Sequence, residues 1–495
     1  MKSATLQKAR EFELEHEKEV GKLERPSFHL SSRIGWMNDP NGFVYFNGMY
    51  HLFYQYHPYS TVWGPMHWGH AVSKDLVKWE YLPVAIAPDS DFDNKGCFSG
   101  CGIVTKSGEL ALIYTGVKQN PENAKQTLQI QCLAIGDGEN FTKLDKPIID
   151  SHQIPAGCSI EDFRDPKVIQ GDDEKYYLYV VNRNKEGNGQ VLVYKSDNLK
   201  EWDYCNLILG NDFNLGVMWE CPDLFQLNNK LVLMLSAQEV QQTKDFDTGN
   251  IGVCIFGKYD NQNHVFTKEC CQQIDRGLDF YAQQTVLTLD NRRVMIGWMQ
   301  NWDTCNYRTK NTKWYGQMSF PREIWIKNNR LYQQPVREIE TYWKNKKIFS
   351  SVKIDNEKLE LENLSGKQLD MTVVLQNIAP ESSLFSVNLF EGDGHFAKVY
   401  YDFKQKKAGV DRKNCGSRNA LLHERSCEYV LQNERELKLR ILIDNNSVEV
   451  FFGEGDLAMS MSIYEEKLAE GISFEIQGSA LLDVISYEIK DVKYE

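Results

Sequence analysis

The sequence predicts an all-β protein, a five-bladed β-propeller followed by a C-terminal β-sandwich, on three observations. A short polar turn leading into an alternating apolar strand occurs five times. The copies are Asn47-Gly48-Met49-Tyr50-His51-Leu52, Ser107-Gly108-Glu109-Leu110-Ala111-Leu112, Asp173-Glu174-Lys175-Tyr176-Tyr177-Leu178, Asn228-Asn229-Lys230-Leu231-Val232-Leu233 and Asn291-Arg292-Arg293-Val294-Met295-Ile296. Their starts lie 60, 66, 55 and 63 residues apart, somewhat longer than the ~40–50 residues of common propeller blades and too strand-rich for a helical solenoid. A second echo reinforces the first: Ser73-Lys74-Asp75-Leu76-Val77-Lys78-Trp79-Glu80 recurs as Ser196-Asp197-Asn198-Leu199-Lys200-Glu201-Trp202-Asp203. The last third reads as strands without helices, including a hairpin in which Leu437 to Ile443 turns at Asp444-Asn445-Asn446 and returns over Ser447 to Phe452.

Residues 1–25 form an N-terminal extension. Ala4 to Val20 lacks Pro and Gly, is rich in Glu, Lys, Leu and Ala, and is followed by Gly21 and Pro26, so it reads as a helix. Its polar character makes it an outer appendage without a catalytic role. Residues 26–335 are the propeller, short strands separated by Gly, Asn, Asp and Pro turns. Residues 336–347 are a linker with a short helical joint over Val336 to Lys344. Residues 348–495 are the sandwich, which holds no comparable set of acids, so its role is accessory, and its edge offers a surface for homo-oligomer formation.

A formal charge of −13 disfavours nucleic acid and other polyanionic partners. The polar N-terminus lacks a signal-peptide core, and no apolar run is long enough to span a bilayer, which predicts a cytoplasmic protein with no membrane partner. The twelve cysteines then read as free thiols. Cys97-x3-Cys101 and His67-x2-His70 have the look of metal ligands, but without a second matching pair no metal is assigned.

Eight residues before each copy of the repeat lie Asp39, Ser99, Asp165, Glu220 and Gln283. Side chains sharing one address in a radially repeated fold converge on its axis. Two Asp and one Glu brought together there are electrostatically costly, and such clusters are usually kept for chemistry. Glycoside hydrolysis needs this set: one carboxylic acid for the leaving oxygen and a carboxylate on the opposite face. Asp at a repeated propeller position also caps turns, and aromatics such as Trp79 and Trp202 read as core between blades, so the repeat alone leaves the matter open.

The flanking residues decide it. Trp36-Met37-Asn38-Asp39-Pro40-Asn41-Gly42, Phe163-Arg164-Asp165-Pro166 and Trp219-Glu220-Cys221-Pro222-Asp223 resemble the β-fructofuranosidases of glycoside hydrolase family 32, the invertases and fructanases. Trp63-Gly64-Pro65-Met66-His67-Trp68-Gly69-His70, Phe98-Ser99-Gly100, Asp279-Phe280-Tyr281-Ala282 and Gly316-Gln317-Met318-Ser319-Phe320-Pro321-Arg322-Glu323 follow in the same order. The resemblance implies a propeller followed by a sandwich, and retaining hydrolysis of terminal β-D-fructofuranosides without a metal or organic cofactor. It implies Asp39 as nucleophile, Glu220 as acid/base and Asp165 as transition-state stabiliser. Asn38, Gln55, Trp63, Phe98, Ser99, Arg164, Tyr281 and Trp298 are implied around the sugar. Two electrostatic expectations follow: Arg164 keeps the neighbouring Asp165 ionised, and burial beside the Asp pair keeps Glu220 protonated. The substrate is a small sugar, sucrose or sucrose 6-phosphate. Fructo-oligosaccharide, inulin or levan hydrolysis and fructosyl transfer are alternatives on the same scaffold. The nearest competing reading is an inverting five-bladed hydrolase of arabinans or xylans, against which the Trp36 to Gly42 string speaks, and one from another class is a silent sugar-binding propeller.

Overall fold

The computed structural model describes residues 3–21, 25–305, 312–415, 422–463 and 469–492. Each copy of the repeat is the turn and second strand of an antiparallel sheet. Asn47-Gly48 and Asn228-Asn229 occupy left-handed backbone (φ 47° and 82°, 47° and 63°), the conformation that Asn and Gly tolerate and that joins twisted strands tightly. Five such sheets follow one another as blades I to V, whose first strands are Gly35–Phe46, Gly96–Val104, Cys158–Gln170, Met218–Leu227 and Tyr281–Leu287. Each first strand contacts the next, and the fifth contacts the first, so the ring closes.

The second strands are apolar on both faces because each blade is covered by two neighbours. In blade II, Leu110, Leu112 and Tyr114 pack with blade I, whereas Ala111 and Ile113 pack with blade III. In blade IV, Leu233 and Leu235 face blade III, and Val232 and Met234 face blade V. Strict alternation thus feeds two different cores. The second echo is an Asx turn: Asp75 Oδ1 accepts the amides of Val77 and Lys78 (3.0 and 2.9 Å), and Asn198 Oδ1 those of Lys200 and Glu201 (2.9 and 3.0 Å).

The N-terminal helix spans Ala4–His16 and ends in a 3-10 turn over Glu17–Glu19. It is docked rather than appended. Arg10 Nε donates to the carbonyl of Val84 (2.8 Å), and the amide of Val84 donates to Glu13 Oε2 (3.3 Å). These bonds satisfy the edge of Trp79–Ile86, the outermost strand of blade I, which would otherwise be open for pairing. The low overall hydrophobicity of the helix hid this, because its buried face includes Arg10 and Glu13.

A 3-10 helix over Arg337–Tyr342 leads into strand Trp343–Asp355. The C-terminal part is two six-stranded antiparallel sheets sharing one apolar core, with Met371, Val373, Leu439 and Val450 on one sheet and Phe385, Val387, Val399 and Phe474 on the other. Among the described residues no helix is long and apolar enough to cross a membrane.

Candidate active site

The first strands of the blades meet along the axis through side chains that bond to a neighbouring strand's amides. Gly100 N donates to Asn41 Oδ1 (3.0 Å), Cys221 N to Asp165 Oδ2 (2.9 Å) and Thr285 N to Asp223 Oδ2 (2.7 Å). Phe43 N donates back to Gln284 Oε1 (3.4 Å), which joins blade I to blade V. Bulges interrupt the ladder beside these contacts, where Asp165, Cys221 and Ala282 all have positive φ (61°, 50° and 54°).

The structure brings Asp39, Ser99, Arg164, Asp165, Glu220 and Tyr281 into one connected group. Asp39 Oδ2 accepts a hydrogen bond from Ser99 Oγ (2.8 Å), and its Oδ1 is buried without a hydrogen-bond partner. Glu220 Oε1 accepts from Arg164 Nη1 (3.0 Å), and Oε2 from Tyr281 Oη (2.9 Å) and Gln238 Nε2 (2.8 Å). Cys221 links the two Asp residues, its Sγ lying 3.8 Å from Asp39 Oδ2 and 3.7 Å from Asp165 Oδ2. Gln283 does not join them. Its amide faces blade IV, donating to the carbonyl of Leu235 and accepting from Ser236 Oγ. The bulge at Ala282 shifts the register, and Tyr281 makes the contact with the acids instead.

The electrostatic expectation for Asp165 is revised. Burial, with the charge of Glu220 second, raises the Asp165 carboxyl to about 7, and the same two causes raise Asp39 to about 6. Arg164 ion-pairs with Glu220 and with Asp162 (2.6 Å), and its charge lowers the Asp165 carboxyl without outweighing burial and the charge of Glu220. Around Glu220 the guanidinium and the two other donors engage both carboxyl oxygens.

Asn38 is held by Trp36 Nε1 (2.7 Å) and Gln55 by donation to the carbonyl of Cys97 (3.0 Å). Trp63, 49% exposed, stands edge-on to Phe98 with ring centroids 5.9 Å apart. Trp298 is fully buried between Trp36 (6.1 Å) and Trp302 (5.1 Å), so it backs the site without an open face. Sequence reasoning missed Cys221 and Gln238. The first lies beside Glu220 inside a quoted motif. Gln238 has no local signal, being placed by the pairing of Met218 with Gln238 in blade IV. Among the described residues no group of three or more His, Cys, Asp or Glu is arranged to hold a metal ion.

Comparison with known proteins identifies the family. The family model described as glycosyl hydrolases family 32 N-terminal domain matches residues 29–335, and that described as glycosyl hydrolases family 32 C terminal matches 338–491. A sucrose-6-phosphate hydrolase of Zymomonas mobilis subsp. mobilis is 36% identical over 486 residues, covering 92% of this chain and 90% of that protein. A raffinose invertase of Escherichia coli is 34% identical, covering 92% and 93%. A solved mutant of the GH32 beta-fructofuranosidase of Bombyx mori, in complex with sucrose, superposes with a TM-score of 0.83 at 29% identity and 99% coverage of both chains. With both family models matching in order across nearly its whole length, the chain belongs to glycosyl hydrolase family 32.

Proposed function

We propose that the protein hydrolyses terminal β-D-fructofuranosides with retention, acting on sucrose or sucrose 6-phosphate. The observation that carries this reading is the asymmetry of the carboxylates. Asp39 keeps one oxygen without a partner in a buried site, whereas both oxygens of Glu220 are engaged by donors. The free oxygen suits a nucleophile, and the held carboxyl suits a group that gives and retakes a proton.

Asp39 Oδ1 attacks the anomeric carbon of the fructosyl unit while Glu220 delivers its proton to the departing glucosyl oxygen. The carbon–oxygen bond to glucose breaks, and a fructosyl ester forms on Asp39. Glu220, now a carboxylate, takes a proton from water as the water attacks the same carbon. Fructose leaves, and both carboxyls return to their starting states. Asp165 lies close enough to share the Cys221 thiol with Asp39, which fits contact with sugar hydroxyls and the developing positive charge. Asn38 and Gln55 would orient the fructose, with Trp63 and Phe98 at the rim.

The test is product stereochemistry. Hydrolysis in water containing methanol, followed by NMR, should give methyl β-D-fructofuranoside, and the α product would overturn the covalent route. Paired measurement of kcat/KM for sucrose and sucrose 6-phosphate then fixes the leaving-group preference. A strong bias to the phosphate places the enzyme after phosphorylating sugar uptake.

A further inference from the structure

We infer that the β-sandwich positions the acid/base: Arg412 acts through Asp279 on Tyr281, and Tyr281 acts on Glu220. This rests on the assignment of Glu220 proposed above.

Residues 274–280 connect the last strand of blade IV, Val265–Gln273, to the first strand of blade V, Tyr281–Leu287. This connection pairs with the outermost strand of a sandwich sheet, Leu457–Ser462. Arg276 N donates to Ala458 O (2.9 Å), and Leu278 N and Asp279 N to Ser460 O (2.7 and 3.1 Å). The Asp275 carboxylate accepts from the amide and hydroxyl of Ser460 (2.9 and 2.7 Å). Gly277 permits the approach, since a Cβ there would lie 2.1 Å from Ser460 N. Asp279 then fixes the end of the segment. Its Oδ2 accepts from Arg412 Nη1 (2.6 Å) and from Ser462 N (2.7 Å), and Arg412 also donates to the carbonyl of Ser462 (2.7 Å). Both members of the Arg412–Asp279 pair are fully buried.

Two residues beyond Asp279, Tyr281 donates to Glu220 Oε2. The other donors to Glu220, Arg164 and Gln238, lie in blades III and IV. Tyr281 is therefore the donor whose placement follows from the sandwich. Its hydroxyl stabilises the carboxylate left when Glu220 protonates the leaving oxygen. Displacing it should hurt substrates whose leaving group needs that proton and spare those that do not. A merely cohesive interface would not discriminate between leaving groups.

The experiment compares kcat/KM for sucrose and for β-D-fructofuranosyl fluoride, which departs as fluoride without a proton, in Arg412→Lys, Asp279→Asn, Tyr281→Phe and Arg412→Lys/Tyr281→Phe. Lys keeps the charge but not the planar fork, so Arg412→Lys is a mild change expected to fold. For sucrose, kcat/KM should fall roughly 10- to 100-fold, in kcat rather than KM, as expected for a displaced catalytic group. In Arg412→Lys and Asp279→Asn the fluoride should be nearly unaffected. Arg412→Lys should add no further loss in the Tyr281→Phe background. Equal losses on both substrates, additive losses, or unchanged kinetics with a lowered Tm would each overturn the inference. Glu220→Ala measured alongside separates the two claims. If it fails to discriminate the substrates, the acid/base assignment falls; if it discriminates and Arg412→Lys does not, only the positioning role falls.

Discussion

At Asp39 the chemistry and the fold pull in opposite directions: attack needs the anion, whereas burial and the charge of Glu220 raise the carboxyl to about 6. The ionised fraction grows as pH rises through that value. The acid limb of kcat/KM should accordingly bend near pH 6, and a profile still flat at pH 5 would contradict the assignment. The same shift sets a sign for stability. A carboxyl with a raised folded-state pKa favours the folded protein when protonated, and that contribution is lost as pH rises from about 4 through 6. Asp39→Asn should therefore abolish turnover, by about 10⁴-fold or more, yet stabilise the fold by about 2 kcal/mol at pH 8. Thermal unfolding at pH 8 and at pH 3.5 would check this, since the gain should vanish at the lower pH. Glu220→Ala should lower kcat/KM for sucrose by about 10³-fold while largely sparing β-D-fructofuranosyl fluoride.

The N-terminal helix shows how a single element can mislead by composition. Glu13 is buried against the edge of blade I, and burial, only partly offset by Arg33, raises it to about 7. Its contribution to docking is present below about pH 4.5 and is lost as pH climbs through 7. Glu13→Gln mimics the protonated form and should stabilise the protein by about 2–3 kcal/mol above pH 8, with no gain at pH 4. Denaturant titrations at the two pH values decide it, and an equal effect at both would contradict the account. The helix itself was legible from residue propensity. Its docked face was not, because Arg10 and Glu13 are apt for burial only opposite the two backbone groups of Val84.

Across the whole molecule, a fully buried ionic network ties the propeller to the sandwich. His29 bonds Asp444 and Glu449 (2.8 Å each), and Arg322 of blade V bonds Glu449 and Asp275. Burial lowers the pKa of His29, but the hydrogen bonds to Asp444 and Glu449 outweigh it and raise the ring to about 9. Burial raises the pKa of Glu449, but Arg322 and His29 outweigh it and hold the group at about 2. The contribution of His29 is complete below about pH 6.5 and is lost as pH rises through 9; that of Glu449 is complete above about pH 4.5 and is lost as pH falls through 2. The junction is thus strongest between about pH 4.5 and 6.5. His29→Ala leaves two buried carboxylates short of a partner and should cost about 3–5 kcal/mol at pH 6. By pH 10 the difference should shrink, which equilibrium unfolding at the two values would show.

The sequence by itself determined the ring and its acids. Period-two apolarity, turn residues fit for left-handed backbone and a recurring spacing are local properties, and radial repetition turns one address per blade into a common axis for Asp39, Asp165 and Glu220. Tertiary structure alone decided who partners whom. Which acid receives Arg164, that Tyr281 rather than Gln283 reaches Glu220, that Gln238 joins it, and that Arg412 grips Asp279 from 133 residues away all depend on bulges, register and the docking of one fold on another. A charge costs or stabilises according to the few ångströms around it, and those neighbours come from strands that the chain order does not place side by side.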